Sequence, residues 1–235
     1  MTTDTVGGVW TYSLELAQAL LAHDVEIVLA TMGPLPTPEQ IAEAESVRSI
    51  TLHTSAYRLE WMDDPWRDVE RAGEWLLDLE RQVRPDIVHL NGYAHGALNW
   101  SAPCVIAGHS CVFSWWHAVK REPPPDLWDR YRQEVRRGLR AAQPVMAPTE
   151  AMLSSLIQHY GPLPQARVIP NCRRGSIFHG GPKEPLVLAA GRAWDEAKNI
   201  AALERAAPKL AWPVYVAGEE EHPNGGAMDL HHVHK

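Results

Sequence analysis

A chain of 235 residues with 45% apolar and 22% charged side chains has room for one large domain or two small ones and an ordinary globular composition. Its formal net charge of -7 excludes a general nucleic-acid binder, which would carry a basic stripe. Cys104, Cys111 and Cys172, an odd number without CxxC spacing, exclude a disulfide framework, and no apolar run approaches the roughly 20 residues that span a bilayer.

In chain order, Thr3 to Leu21 reads as the tail of a strand, a Gly7-Gly8 turn and an amphipathic helix carrying Leu14, Ala17, Leu20 and Leu21. Val25 to Ala30 is a short apolar run of the kind found in buried parallel strands. Gly33, Pro34, Pro36 and Pro38 mark a loop, Pro38 to Glu45 a short helix, and Val47 to His53 alternates as a third strand. Leu59 to Pro65 is irregular. Trp66 to Val83 has helical periodicity, Arg84-Pro85 stops it, and Asp86 to Asn91 is a strand running into the Gly92 turn. Pro103 to His109 is another buried strand, Pro123 to Pro125 a stiff break, and Asp126 to Arg140 an arginine-rich helix. Pro144 to Pro148 is a short strand, Thr149 caps a helix to about His159, and Ala166 to Ile169 is a strand before Pro170-Asn171-Cys172.

Alternation of strands and helices predicts an α/β fold with a doubly wound parallel sheet. Ligands bind such sheets beyond the carboxyl ends of the strands. The residues there are Gly7-Gly8, Asn91-Gly92, His109-Ser110, Thr149 and Asn171, all glycine or polar. After the loop Phe178 to Lys183, Leu186 to Ala190 is a strand, Asn199 to Ala207 a helix and Pro213 to Gly218 a strand. The expected division is therefore residues 1–178 and 179–235, the second too short for a complete domain.

Gly7 and Gly8 admit a ligand close to the backbone, and the helix behind them offers free N–H groups and a partial positive charge to an anion. The competing reading is an ordinary strand-to-helix turn. Arg192, beyond a strand end, and Lys198, at the start of the next helix, could neutralise a diphosphate, or could be two solvated surface charges. His109 stands where an apolar strand opens into a polar loop and can bond a substrate hydroxyl or phosphate. His231, His232 and His234 lie in a tail without a partner strand, so no metal site is expected.

Taken together, Asp4 to Ala17 with its Gly7-Gly8 turn, Pro85 to Asn91, Gly108-His109-Ser110, Val145 to Glu150, Val168 to Asn171, Gly191-Arg192 and Lys198-Asn199 resemble glycosyltransferase family 4. The resemblance extends to about Gly218. It implies the GT-B fold, two Rossmann-like domains of which the first takes the acceptor and the second a nucleotide-diphosphate sugar. It implies retaining sugar transfer without a metal or other cofactor. His109 then matches the histidine near the transferred sugar, Gly7 and Gly8 approach the donor diphosphate or the acceptor, and Arg192 with Lys198 holds the donor phosphates. Asn91, Ser110 and Asn171 are candidates for acceptor or cleft contacts.

Two departures from the family shape the expectation. Only Met1 to Thr3 stands for the first strand, and nothing after Gly218 matches the acidic donor motif, for which Glu219, Glu220 and Glu221 are too early and too close. The sequence reads as a truncated glycosyltransferase of impaired activity, with a sugar or lipid-linked acceptor. A non-catalytic acceptor- or partner-binding fragment and the product of a frameshifted gene stay open as alternatives. The expected setting is the cytoplasm, with room for a peripheral membrane contact and with oligomeric state open.

Overall fold

The computed structural model describes residues 1–218; Glu219, Glu220, Glu221, His231, His232 and His234 lie outside the described residues. The chain forms two compact units, Met1–Gly175 and a second beginning at Ser176.

In the first unit β1 (Thr2–Asp4), β2 (Ile27–Met32) and β3 (Ile50–Thr54) form one parallel ladder. A second parallel ladder holds β4 (Val88–Leu90), β5 (Cys104–Ala107), β6 (Val145–Ala147) and β7 (Arg167–Val168) in sequence order. The ladders meet where β1 lies beside β4. There the backbone N–H of Asn91 donates to Thr2 Oγ1 at 3.0 Å and its side-chain amide to the Thr2 carbonyl at 2.7 Å. The resulting spatial order, β3-β2-β1-β4-β5-β6-β7, is that of a doubly wound sheet, with its switch point between β1 and β4.

Helices α1 (Gly8–Leu20), α2 (Pro38–Glu45), α3 (Trp66–Val83), α4 (Val112–Val119), α5 (Asp129–Ala141) and α6 (Glu150–Tyr160) connect and cover the strands. Each has a local reason. Thr37 closes a capping box with Gln40 at the start of α2, where Pro38 sits at the first helical position. α3 buries Val69, Ala72, Leu76 and Leu79 at helical spacing. Thr149 Oγ1 accepts from the Met152 N–H at 3.0 Å and caps α6.

Two elements differ from the sequence expectation. α4 lies in a stretch that carried no assignment, because its cap is an unusual one: Cys111 Sγ accepts from the Ser114 N–H and Ser114 Oγ from the Cys111 N–H. The arginine-rich helix begins at Asp129, after a short 3-10 turn at Asp126–Trp128.

The core under the second ladder gathers Ile106, Tyr131, Val135, Leu139 and Leu156, all at most 2% exposed. α5 reaches this core through Gly138. A Cβ there would stand 1.8 Å from the Tyr93 carbonyl oxygen, so only glycine allows the helix this close to the turn after β4.

The second unit pairs β8 (Val187–Ala190) with β9 (Val214–Ala217) in parallel, with α7 (Ile200–Ala206) between them in sequence. Ile200, Val214 and Val216 are buried together, while Leu188 on the opposite face is 63% exposed. The two strands are thus covered on one face. Among the described residues this sheet has two strands, and a two-stranded sheet is marginal. Amide exchange in Val187–Ala190 and Val214–Ala217 is therefore expected to outpace that in Cys104–Ala107 by on the order of tenfold. Equal protection in the two sheets would refute this.

Candidate active site

The carboxyl ends of β1, β4 and β5 bring three of the anticipated segments together. At the carboxyl end of β1, Asp4 Oδ1 accepts from the Val6 N–H at 2.8 Å, and burial pushes this carboxyl up to about 6. Gly7 follows with φ 84°, a left-handed conformation that favours glycine, and serves as the cap of α1. It has no side chain to accept from the first-turn N–H groups, and α1 has no side-chain cap. Gly7 and Gly8 are exposed, and a Cβ on either would meet no atom within 4 Å. The turn opens onto free space.

Past β4 and β5, Asn91 Oδ1 lies 2.9 Å from His109 Nε2. The Asn91 amide nitrogen donates to the Thr2 carbonyl at 2.7 Å and to Ser13 Oγ at 3.3 Å, and Ser13 Oγ donates to Thr3 Oγ1 at 3.0 Å. Asn91 thus ties β1, α1 and the His109 loop into one network. Tyr12 of α1 sets its ring edge-on to the His109 imidazole, with centroids 4.5 Å apart. Burial pulls His109 down to about 4, so its ring is neutral at neutral pH. His89, 6.1 Å from the Tyr12 ring, is likewise drawn down to about 4, first by burial and then by the chain's own amino terminus.

Ser110 is exposed, and its carbonyl accepts from Tyr93 Oη at 2.8 Å. Tyr93 is held in turn by Glu60, whose carboxylate accepts from the Tyr93 N–H at 3.1 Å and the Ala94 N–H at 2.7 Å. Burial pushes Glu60 up to about 7 against the pull of these bonds. Asn171 is exposed in the segment after β7. That segment is fastened to α1 by Glu15, which pairs with Arg173 at 3.3 Å and Arg174 at 3.2 Å. Sequence reasoning gave Tyr12, Ser13, Glu60 and Tyr93 no role. Only Tyr12 had a local signal, one turn into the glycine-capped helix.

Arg192 and Lys198 belong to the second unit. Arg192 Nη2 donates to Asp195 Oδ2 at 2.7 Å, and the guanidinium lies 4.9 Å above the Trp194 ring. The Lys198 stem runs 3.2–3.4 Å from where a Cβ on Gly191 would stand, so the lysine passes over the glycine at the end of β8. Lys198 closes a 3-10 turn, Glu196–Lys198, rather than opening the helix expected there. Among the described residues no group of three His, Cys, Asp or Glu is placed to hold a metal ion, and no helix is long and apolar enough to cross a membrane.

A doubly wound parallel sheet with a glycine turn at its switch point, followed by a second βαβ unit, is the architecture of GT-B glycosyltransferases. Solved structures of this class are similar to the chain. The glycosyltransferase from Rickettsia africae ESF-5 is 14% identical with a TM-score of 0.59, over 95% of this chain and 61% of that one. HepE from Anabaena, in complex with UDP and glucose, is 13% identical with a TM-score of 0.63, over 92% and 60%. UGT2 from Phytolacca americana, complexed with UDP-2fluoro-glucose and pterostilbene, is 14% identical with a TM-score of 0.57, over 92% and 65%. The chain thus spans less than two thirds of the length of these structures. A search of the curated proteins by sequence found no match. The model of Glycosyltransferase Family 4 matches residues 6–173, and the chain belongs to that family.

Proposed function

We propose that this protein transfers a sugar from a nucleotide-diphosphate sugar to a hydroxyl acceptor with retention of configuration, and that it does so without a metal. The observation that carries this reading is the convergence of the Gly7-Gly8 turn, Asn91 and His109 at the switch point of the sheet. Family membership and the UDP-bound relatives of the same fold support a uridine diphosphate donor. In this reading the free amides at the start of α1 face an anionic group, and neutral His109 bonds a sugar hydroxyl. The acceptor is a sugar or a lipid-linked sugar. Arg192 and Lys198 take the donor phosphates; Arg192 keeps donors to spare after its bond to Asp195, since guanidinium carries five N–H groups.

UDP-glucose titration tests the assignment. Gly8→Val places a side chain in the open space before the turn and is expected to weaken binding roughly tenfold or more, with the melting temperature nearly unchanged. Arg192→Ala is expected to cost roughly 10–100-fold, the value of a charge-assisted bond. Chelator should leave binding unaltered. Unchanged affinity in both variants would remove the donor from these positions.

A further inference from the structure

We infer that Asn91 is a positioning residue for His109: it holds the imidazole as the Nε2–H tautomer and so leaves Nδ1 as a hydrogen-bond acceptor for a substrate hydroxyl. Oxygen and nitrogen of an amide are told apart by their partners. One end of the Asn91 amide lies 2.7 Å from the Thr2 carbonyl oxygen, which can only accept, so that end is the nitrogen. The same end also reaches Ser13 Oγ, whose proton is committed to Thr3 Oγ1 and which therefore accepts. The other end, 2.9 Å from His109 Nε2, must be the oxygen. An amide oxygen only accepts, so His109 Nε2 carries the proton. A neutral imidazole has one, and Nδ1 is left with a lone pair.

The tautomer is thus dictated by a main-chain carbonyl of β1, two links away. Tyr12 packs edge-on against the imidazole with centroids 4.5 Å apart and holds its plane, and the 2.9 Å bond to Asn91 places Nε2, not a ring carbon, at the amide oxygen. A histidine set this way accepts from a hydroxyl and does not donate to a phosphate through Nδ1. That selects between the two partners the sequence allowed for it. The Nε2 proton follows from the hydrogen-bond geometry and the free Nδ1 from the neutrality of the buried ring, and only the hydroxyl partner rests on the proposed transferase function.

Imidazole nitrogen NMR on the full chain at pH 7.5 tests it, with His109 identified by the loss of its signals in His109→Gln. The wild type should show a pyrrole-like Nε2, a pyridine-like Nδ1 and an Nε2–H proton that exchanges slowly with water. Asn91→Leu keeps the size and removes the acceptor, so the slowly exchanging Nε2–H proton should disappear. Thr2→Val cuts the bond from the Asn91 backbone and loosens the β1–β4 seam without turning the side-chain amide, so the Nε2–H signal should persist. Should Asn91→Leu fail to fold, Asn91→Asp, which keeps an acceptor, must retain the proton on Nε2. A protonated Nδ1 in the wild type, or an Nε2–H proton equally protected in Asn91→Leu, would overturn the inference. UDP-glucose should then shift the Nδ1 resonance. An unmoved Nδ1 beside the stated tautomer strikes the transferase reading and leaves the positioning role standing.

Discussion

Glu60→Ala is expected to destabilise the first unit by about 3–5 kcal/mol, because two buried backbone donors lose their acceptor at once and each unsatisfied group costs about 1–3 kcal/mol. The carboxylate accepts from the Tyr93 and Ala94 amides, and the side chain is itself buried. Tyr93 in turn holds the Ser110 carbonyl, so the loss reaches the loop that carries His109. Glu60→Gln keeps an acceptor and discards the charge. It should cost far less, and it isolates the pH dependence.

The sign of that dependence is fixed by the shift. Glu60 titrates near 7 in the folded protein, above its ordinary value of 4.5. Between those values the folded chain holds a proton that the unfolded chain has released, so stability falls as pH rises through this window, by up to about 3 kcal/mol. His89 and His109 act in the opposite sense. Their folded values of about 4 lie below the ordinary 6.5, so their contribution is complete above pH 6.5 and is lost as pH falls toward 4. Subtracting Glu60→Gln from the wild type removes the histidines from the comparison. Urea unfolding at pH 5 and 7.5 should then show the wild type gaining stability on the variant at the lower pH. A difference that is flat with pH would sink the assignment of a protonated Glu60.

Gly138→Ala is the second large effect, and its sign runs against helix propensity. Alanine in place of an interior helical glycine ordinarily stabilises by roughly 1 kcal/mol. Here the new methyl would lie 1.8 Å from the Tyr93 carbonyl oxygen and 2.8 Å from its carbon, both backbone atoms. α5 would have to withdraw from the turn, opening the core around Tyr131, Val135 and Leu139. The expected cost is about 3 kcal/mol, the upper range for overpacking, which lowers the melting temperature by roughly 6–12 °C at this chain length. A melting temperature at or above that of the wild type would show that the helix can shift without loss.

Both predictions concern the turn after β4, a place where the sequence was least informative. Asp86 to Asn91 reads as a strand leading into a turn, since Ile87, Val88 and Leu90 form a short apolar run between Pro85 and Gly92. What grips the turn does not. Glu60 comes from a stretch read only as irregular, and Gly138 sits in a helix where glycine looks like a mere weakness. Their partners are 33 and 45 residues away along the chain, beyond the reach of any local pattern. Lys198 illustrates a smaller miss. It was expected to open a helix, but Asp195 Oδ1 accepts from the Ala197 N–H and a 3-10 turn comes first.

The sequence by itself determined the class of fold, the alternation of its elements and the glycine, asparagine and histidine that stand past the strand ends. These follow from hydrophobic periodicity and chain stiffness, which are local. Only the tertiary structure decided the state of those residues. It placed the Asn91 amide between the Thr2 carbonyl and His109 Nε2 and packed Tyr12 against the imidazole. Hydrogen-bond direction, tautomer and desolvation depend on atoms brought from distant parts of the chain, and those meet only when the sheet closes at β1 and β4.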